Sequence, residues 1–278
     1  MNVYLMMLGV TACYTITSLS DRYAAHTAKY TGHEFTFLMC ASLSVFMLFS
    51  LPFQEIHFTL AWQSFAAILL IAACKYFEFE MTAYVFDELT PFELKAWLGV
   101  NLFVSYFTDI FFGETLRIAR LGCIALTAVG LVLIVRSDKK EKPDYRRIIV
   151  PMILYMLSKY GYSLVIKGFT PYISPTVQLF PALILLTVIT LFRIKPVELV
   201  KKNKKGAAIV ISARIPNTVG MLLENAVIAI SITHYSFIQP MILVSLFLIG
   251  LMRERGKSKT ELAGSIICIA GITAFAFV

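Results

Sequence analysis

The chain is a succession of long apolar runs separated by short polar segments. Ten runs can be followed, at about residues 3–20, 35–51, 60–86, 91–112, 117–135, 148–168, 176–193, 207–232, 235–251 and 260–278. A helix needs about 20 mostly apolar residues to cross the hydrocarbon core of a bilayer. Each run therefore predicts one transmembrane helix, and the predicted fold class is an all-α integral membrane protein. No polar stretch is long enough to form a soluble domain, so the function is expected to reside within the membrane.

The second half of the chain repeats the pattern of the first after a displacement of about 140 residues. On that alignment Tyr14 meets Tyr155, and Glu114 meets Glu254. Five helices are an odd number, so the second copy enters the membrane in the opposite orientation. The sequence thus predicts two inverted five-helix repeats, over residues 1–137 and 146–278. Secondary transporters often have this architecture, with the substrate bound near the midplane between the repeats.

Composition agrees with a membrane protein and excludes a soluble domain of this length. Hydrophobic residues make up 58% of the chain and charged residues 15%, and the mean hydropathy is +0.76. The five cysteines stand singly within apolar runs, so we interpret them as packing residues and expect no metal and no cofactor. The opening run lacks a basic n-region, and we expect it to remain as the first helix rather than to be cleaved.

The basic residues are concentrated in connections of one parity. Of the 25 Lys and Arg, two follow the first run, six lie in Arg136–Arg147, six in Arg193–Lys205 and four in Arg253–Lys259. By the positive-inside rule these connections face the cytoplasm, which places both termini outside. The net charge is +8. We expect the basic residues of the connections to contact anionic lipid headgroups of the bilayer, and no nucleic-acid partner is predicted.

Four basic side chains remain within the apolar runs: Lys75, Lys95, Lys159 and Arg214. A charge at the bilayer centre costs about 2.5–3.5 kcal/mol on insertion scales, so each needs a partner or water. Lys95 lies near the start of its run and is expected to extend to the interface. Lys159 and Arg214 are central and have no acid at i±3 or i±4, so we expect both to face a polar cavity.

Two polar faces fall at equivalent places in the two halves. Lys75 and Glu78 are three residues apart in the third run, which brings them to one helical face. Arg214, Asn217 and Glu224 share a face of the eighth run. Equivalent faces in an inverted repeat would meet across a central cavity, which predicts the binding site there. The alternative for Lys75 and Glu78 is a buried ion pair that only fixes helix packing.

The sixth run adds an ammonium between aromatic rings. Tyr155, Lys159 and Tyr162 recur at i, i+4 and i+7, a pattern that favours a clamp for an anionic group beside a slot for an organic body. Tyr14, the repeat partner of Tyr155, is expected to face the same space.

Polar residues also follow one stripe of the fourth run, at Asn101, Ser105 and Asp109. Asp109 stands near a helix end, and hydration there is an alternative to a role in the site. Pro216 is expected to interrupt the eighth run, either at the site or as a kink that shapes the bundle. The predicted substrate-binding residues are Tyr14, Lys75, Glu78, Asn101, Tyr155, Lys159, Tyr162, Arg214, Asn217 and Glu224.

A further local pattern closes each half. The first half has Gly113-Glu114-Thr115 with Gly122 and Gly130 in the next run; the second has Arg253-Glu254-Arg255 with Gly264 and Gly271. Pro240 precedes Glu254 by fourteen residues, whereas Val100 holds the matching place in the first half.

This pattern, over essentially the whole chain, resembles the EamA-type transporters of the drug/metabolite transporter superfamily. The resemblance implies ten helices in two repeats, transport of a small solute from a wide range, and cytoplasmic termini, opposite to the charge bias. In the last run Gly264, Cys268 and Gly271 recur at i, i+4 and i+7, which favours close helix packing or, alternatively, a hinge.

The predicted function is secondary transport of a small polar organic solute, such as an amino acid, an amine or another metabolite, by alternating access. Glu78 or Glu224 is a candidate acceptor for a coupling proton, with uniport and exchange left open. A membrane-embedded enzyme and a channel are the alternatives; the chain has no GxxxxGK[ST], HExxH or GxSxG motif, and no enzyme activity is predicted. Both a monomer and a homodimer stay open.

Overall fold

The computed structural model describes residues 2–54, 56–89, 91–99, 101–137, 145–253 and 259–278, and most of them are helical. In chain order the α-helices are α1 (Val3–Arg22), α2 (Gly32–Ser50), α3 (Trp62–Glu88), α4 (Pro91–Leu98), α5 (Asn101–Phe111), α6 (Ile118–Ser137), α7 (Tyr145–Phe169), α8 (Pro175–Leu191), α9 (Pro196–Lys202), α10 (Lys204–Ile230), α11 (Ile232–Arg253) and α12 (Lys259–Phe277). A π-helical turn at Tyr23–Thr27 extends α1, and a 3-10 turn at Leu51–Phe53 extends α2.

The predicted apolar runs all lie on helices. Within the part of the chain that the structure describes, five segments are long and apolar enough to cross a membrane: Val3–Thr27, Gly32–Phe53, Arg147–Phe169, Lys204–Ile230 and Ile232–Ile249. Shorter apolar helices occupy Ile118–Leu133, Pro175–Leu191 and Leu262–Phe275. The chain is therefore an all-α protein with helices suited to a membrane. The fourth run differs from the expectation, because α4 ends at Leu98 and a separate α5 begins at Asn101.

Polar residues at the connections fix where several helices begin. The Asn2 side chain accepts a hydrogen bond from the Tyr4 amide at 3.0 Å and caps α1. Thr31 and Glu34 form a reciprocal capping box at the start of α2, which satisfies amides that the helix leaves unpaired. Asn203 accepts from the Gly206 amide at 2.8 Å and begins α10.

Helices of the first half pair with helices of the second half. Helix α1 packs against α10, α3 against α7, α2 against α8, and α6 against α12. Many large apolar side chains point outward at mid-helix, among them Leu8, Leu69, Leu157 and Val219. Such side chains suit contact with lipid, whereas the polar groups described below are turned inward.

The α6–α12 contact depends on glycines. A Cβ atom on Gly130 would lie 2.6 Å from the backbone nitrogen of Cys268, and one on Gly271 would lie 2.8 Å from the backbone nitrogen of Thr127. The two backbones are thus too close to admit a side chain at either position. In lipid there is no hydrophobic driving force between helices, so they associate through the close van der Waals packing that small residues allow.

Helix α10 continues through Pro216 instead of being interrupted there. Side chains on either side of the proline bond to backbone carbonyls of the same helix, with Ser212 Oγ 3.1 Å from the Ile209 oxygen and Thr218 Oγ 2.8 Å from the Arg214 oxygen. The proline removes one amide donor, but α10 packs against α1 and α2, and this packing favours a continuous helix.

Candidate functional site

A small cavity of about 50 Å³ lies between helices of both halves. Six of the predicted site residues line it: Tyr14, Lys75, Glu78, Tyr155, Lys159 and Asn217. Further polar lining comes from Thr17, Ser18, Asp21, Thr82 and Lys95. We call this the central cavity. One end of the bundle carries the connections 23–31 and 192–203, and we call it the basic end. The central cavity extends from the middle of α3 toward the basic end, because Asp21, which lines the cavity, is one residue from the end of α1.

Glu78 joins two lysines in the wall of the central cavity. Its Oε2 lies 2.8 Å from Lys75 Nζ, one turn away on α3, and its Oε1 lies 3.0 Å from Lys159 Nζ on α7. All three side chains are at most 8% exposed. The local pair between Lys75 and Glu78 matches the sequence interpretation. The acid for Lys159 comes from a helix of the other half, where spacing along the chain gives no sign of it.

Glu224 extends this cluster to α1 and α10. Its Oε1 lies 3.9 Å from Lys159 Nζ, and its Oε2 accepts a short hydrogen bond from the Tyr14 hydroxyl. The carboxylate is fully buried, and its Oε1 has no hydrogen-bond donor among the residues that the structure describes. The predicted pair Tyr14 and Glu224 therefore meet, with one acceptor atom left for another donor.

Two aromatic rings pack against the ammonium of Lys75. Lys75 Nζ lies 3.7 Å from the ring centroid of Tyr162 and 5.7 Å from that of Phe79. The Tyr162 hydroxyl donates to the Asn225 side-chain oxygen on α10. Cation–π contact of this kind stabilises an ammonium that has lost its water. Tyr162 thus belongs to the cluster but stands behind the cavity wall.

Arg214 is fully buried one layer behind the central cavity. Its Nη2 donates to Asp21 Oδ1, its Nη1 lies 2.5 Å from Met39 Sδ, and its Nε lies 3.1 Å from the Val210 oxygen. Asp21 and Met39 both line the cavity, so Arg214 fixes two of its wall residues. Asp21 is not among the residues that the sequence predicts for the site, because it lies just after the first apolar run, next to Arg22.

Lys95 is buried in the cavity wall, which corrects the expectation that it extends to the interface. Lys95 is 4% exposed and lines the central cavity. Leu94 and Leu98 of the same helix pack in a buried cluster with Val85 and Phe86 of α3. Because α4 is fixed by these leucines, the side chain between them is turned into the bundle.

Asn101 lies apart from the central cavity. It begins α5, is half-buried and does not line the cavity, so its predicted role in binding stays a prediction. Ser105, on the same stripe, bonds the Ser236 hydroxyl of α11 at 2.5 Å. The polar stripe of α5 therefore packs against the other half.

Asp109 ends this stripe and is fully buried, so it is not hydrated at the helix end as the alternative had it. Four donors surround its carboxylate: Lys167 Nζ at 2.7 Å, Ser231 Oγ at 2.7 Å, and the amides of Ile232 at 3.1 Å and Thr233 at 2.7 Å. The two amides belong to the first turn of α11, where unpaired N–H groups attract an anion. Asp109 thus fastens the end of the bundle opposite to the basic end.

Comparison with protein-family models and with curated protein sequences finds no match. Twenty-five chains of solved structures are similar to this chain. In one of them, a crystal structure of a protein, the similarity covers 99% of this chain and 96% of the other, with a TM-score of 0.68 and 14% sequence identity. At that identity the likeness shows a shared fold and nothing about the solute or the reaction.

Proposed function

We propose that the protein is a secondary transporter that moves a small polar organic solute across the membrane by alternating access. The observation that carries this proposal is the buried ionic cluster at the central cavity. Glu78 and Lys159 come from different halves and line the cavity, and Glu224 lies beside them with its Oε1 3.9 Å from Lys159 Nζ. Ionisable groups at membrane depth are costly, and they commonly mark the path of a solute or ion.

Helix pairing supports the inverted repeat, with its ten spans and its halves at 1–137 and 146–278. We count α4 and α5 together as the fourth span and α9 as part of a connection. The contact of α1 with α10 then joins the first span to the eighth, and the contact of α3 with α7 joins the third span to the sixth. Exchanging the halves converts each of these pairs into the other. The pairs α2 with α8 and α6 with α12 are converted into themselves. This is the pattern that a pseudo-twofold axis produces, and it favours the EamA-type architecture.

Contacts between the halves close the end opposite to the basic end. Among them are the Asp109–Lys167 ion pair at 2.7 Å and the Ser105–Ser236 hydrogen bond at 2.5 Å. The central cavity lies on the other side of them, toward the basic end. We infer a state in which the site communicates with the basic end, and transport then requires the opposite end to open, with loss of the Asp109–Lys167 contact, while the basic end closes.

Counterflow in proteoliposomes tests the proposal. Vesicles loaded with an unlabelled solute should accumulate the labelled solute transiently if a carrier exchanges them, which a channel does not do. A first panel of amino acids, nucleosides, amines and organic acids is screened by thermal stabilisation of the purified protein, because a ligand of the native state raises its apparent stability.

Lys159→Ala should abolish counterflow, and Lys195→Ala, an exposed lysine that pairs with Glu198 at 3.2 Å, is the matched control. Equal flux in wild type and Lys159→Ala would refute the proposed site. Ligand binding with no counterflow in any vesicle would refute transport. Glu78→Gln and Glu224→Gln, assayed with an imposed pH gradient, decide between proton coupling and uniport or exchange.

The orientation of the chain is proposed from its charges, with the basic end in the cytoplasm and both termini outside. Fusions at the C-terminus test this. Alkaline phosphatase should be active there and a green fluorescent protein dark, whereas the reverse result would support the orientation that the family resemblance implies.

A further inference from the structure

The charges around the central cavity do not balance. Among the side chains that the structure describes, the buried cations at the cavity and directly behind it are Lys75, Lys95, Lys159 and Arg214, and the carboxylates are Asp21, Glu78 and Glu224. With all seven ionised, the group carries one positive charge in excess.

The excess resides on Lys95. Each of the other cations has a carboxylate within 4 Å: Lys75 and Lys159 share Glu78, and Arg214 contacts Asp21. Lys95 has no ion pair and no hydrogen bond among the described residues, although it is 4% exposed and lines the cavity. An ammonium removed from water without a partner is strongly disfavoured. Among the residues that the structure describes, this cation thus has no carboxylate partner, and a bound anion would supply one.

Neighbouring groups fit a carboxylate better than a bare ion. Tyr155 and Asn217 line the same cavity and offer a hydroxyl and an amide as further donors, and Ser18 adds another hydroxyl. Planar anions accept several hydrogen bonds at once, and bonds to a charged group are the strong ones. The uncharged donors fix the orientation of the group while Lys95 supplies the charge.

We propose that Lys95 is the anion subsite of the central cavity and that the solute is a small carboxylate, either a monoanion or an amino acid. A monoanion would neutralise the excess charge. An amino acid would place its carboxylate at Lys95 and its ammonium near the acceptor atoms of Glu78 or Glu224. The substrate class rests on the proposed transport function, but the binding claim does not require flux.

Stability of the ligand-free protein gives the first test. Lys95→Gln removes an unpaired buried charge and should leave the apparent Tm in detergent unchanged or raise it. Lys75→Gln, which removes one of the two lysines that pair with Glu78, should lower it. An equal loss of Tm in both variants would overturn the proposal, because it would show that Lys95 already has a partner of its own.

Binding gives the second test. Propionate, lactate, phenylacetate and alanine are compared with their amides, each amide supplemented with sodium chloride to equal ionic strength. The carboxylates should raise the Tm of the wild-type protein above the amide-plus-chloride samples. Lys95→Gln should bind the effective carboxylate about ten- to a hundredfold more weakly, and Lys95→Arg should restore most of that affinity.

The outcomes separate this proposal from the proposed function. Stabilisation that depends on Lys95, with no counterflow, would support the anion subsite and refute transport. Counterflow of an uncharged or cationic solute that is unchanged in Lys95→Gln would support transport and overturn the subsite. The subsite is also overturned if chloride stabilises as well as the carboxylates do, or if none of the four carboxylates stabilises the wild-type protein.

Discussion

Replacing Glu78 by glutamine should be among the most damaging single changes in the chain. The carboxylate lies between two ammonium groups, at 2.8 Å from Lys75 and 3.0 Å from Lys159, and all three groups are buried. Glutamine has nearly the same shape, so the substitution removes the charge and adds no cavity. Together with Glu224 the four groups are neutral, and Glu78→Gln leaves them with one uncompensated positive charge.

The expected loss follows from burial. Removing one partner of a buried ion pair costs about 3–5 kcal/mol, because the other charge is left without compensation. Glu78 compensates two lysines, which places the loss in the upper part of that range. Lys75→Met in the same background returns the cluster to neutrality and should recover about 2 kcal/mol or more, so the two changes are expected to be strongly non-additive.

A thiol-reactive fluorophore provides the assay. Cys40, Cys123 and Cys268 are buried free thiols, and their labelling reports unfolding in detergent as temperature or denaturant rises. The matched control is Glu198→Gln, since Lys195 and Glu198 have the same i, i+3 spacing but are 78% and 70% exposed. An exposed pair contributes at most about 1 kcal/mol.

The reasoning would be refuted by a Glu78→Gln protein as stable as the Glu198→Gln control. It would also be refuted if Lys75→Met further destabilised Glu78→Gln by its full single-mutant cost, because the two charges would then act independently.

Three further changes have definite expected results. Tyr14→Phe removes the hydroxyl that donates to the buried carboxylate of Glu224 and should lower the free energy of unfolding by about 1.5–3 kcal/mol, the contribution of a hydrogen bond to a charged group; the thiol-labelling assay measures this, and an unchanged stability would contradict it. Gly130→Ile should prevent α6 and α12 from packing and reduce folded yield in gel filtration, while Gly122→Ile in the same helix, where a Cβ meets nothing within 4 Å, should behave as wild type; equal yields would show that the close contact is dispensable. Asp109→Ala leaves buried donors unpaired and should lower unfolding stability by about 3–5 kcal/mol, measured by the same thiol assay, with a loss below 1 kcal/mol counting against its role.

Much of the fold follows from the sequence because each apolar run is a local property. The runs near 3–20 and 207–232 became α1 and α10, and the ion pair of Lys75 with Glu78 required only a spacing of three residues. The partners of Lys159 and Arg214 could not be found in this way. They depend on which helices of the two halves pack together and on how each helix is rotated about its axis, and neither is encoded in a local pattern.

The burial of Lys95 also could not be predicted from a local pattern. Its position four residues into a helix is typical of a side chain that reaches the interface, and only the packing of Leu94 and Leu98 against α3 turns it inward. Asp109 is similar, because its burial depends on the amides at the start of α11, which follow it by more than 120 residues.

The four donors around Asp109 are unequally distributed, and this has an energetic consequence. Only Lys167 belongs to α7, whereas Ser231, Ile232 and Thr233 belong to the junction of α10 and α11. Should α7 withdraw from α5, the carboxylate would lose one charge-assisted bond, worth about 1.5–3 kcal/mol, and the hydrogen bond between Thr108 and Tyr160 would break as well. The carboxylate would keep three donors and stay solvated by protein. The released Lys167 would find water at the helix end. The bundle can thus separate between α5 and α7 at a modest cost in free energy, while the hydrogen bonds between α5 and α11 are retained.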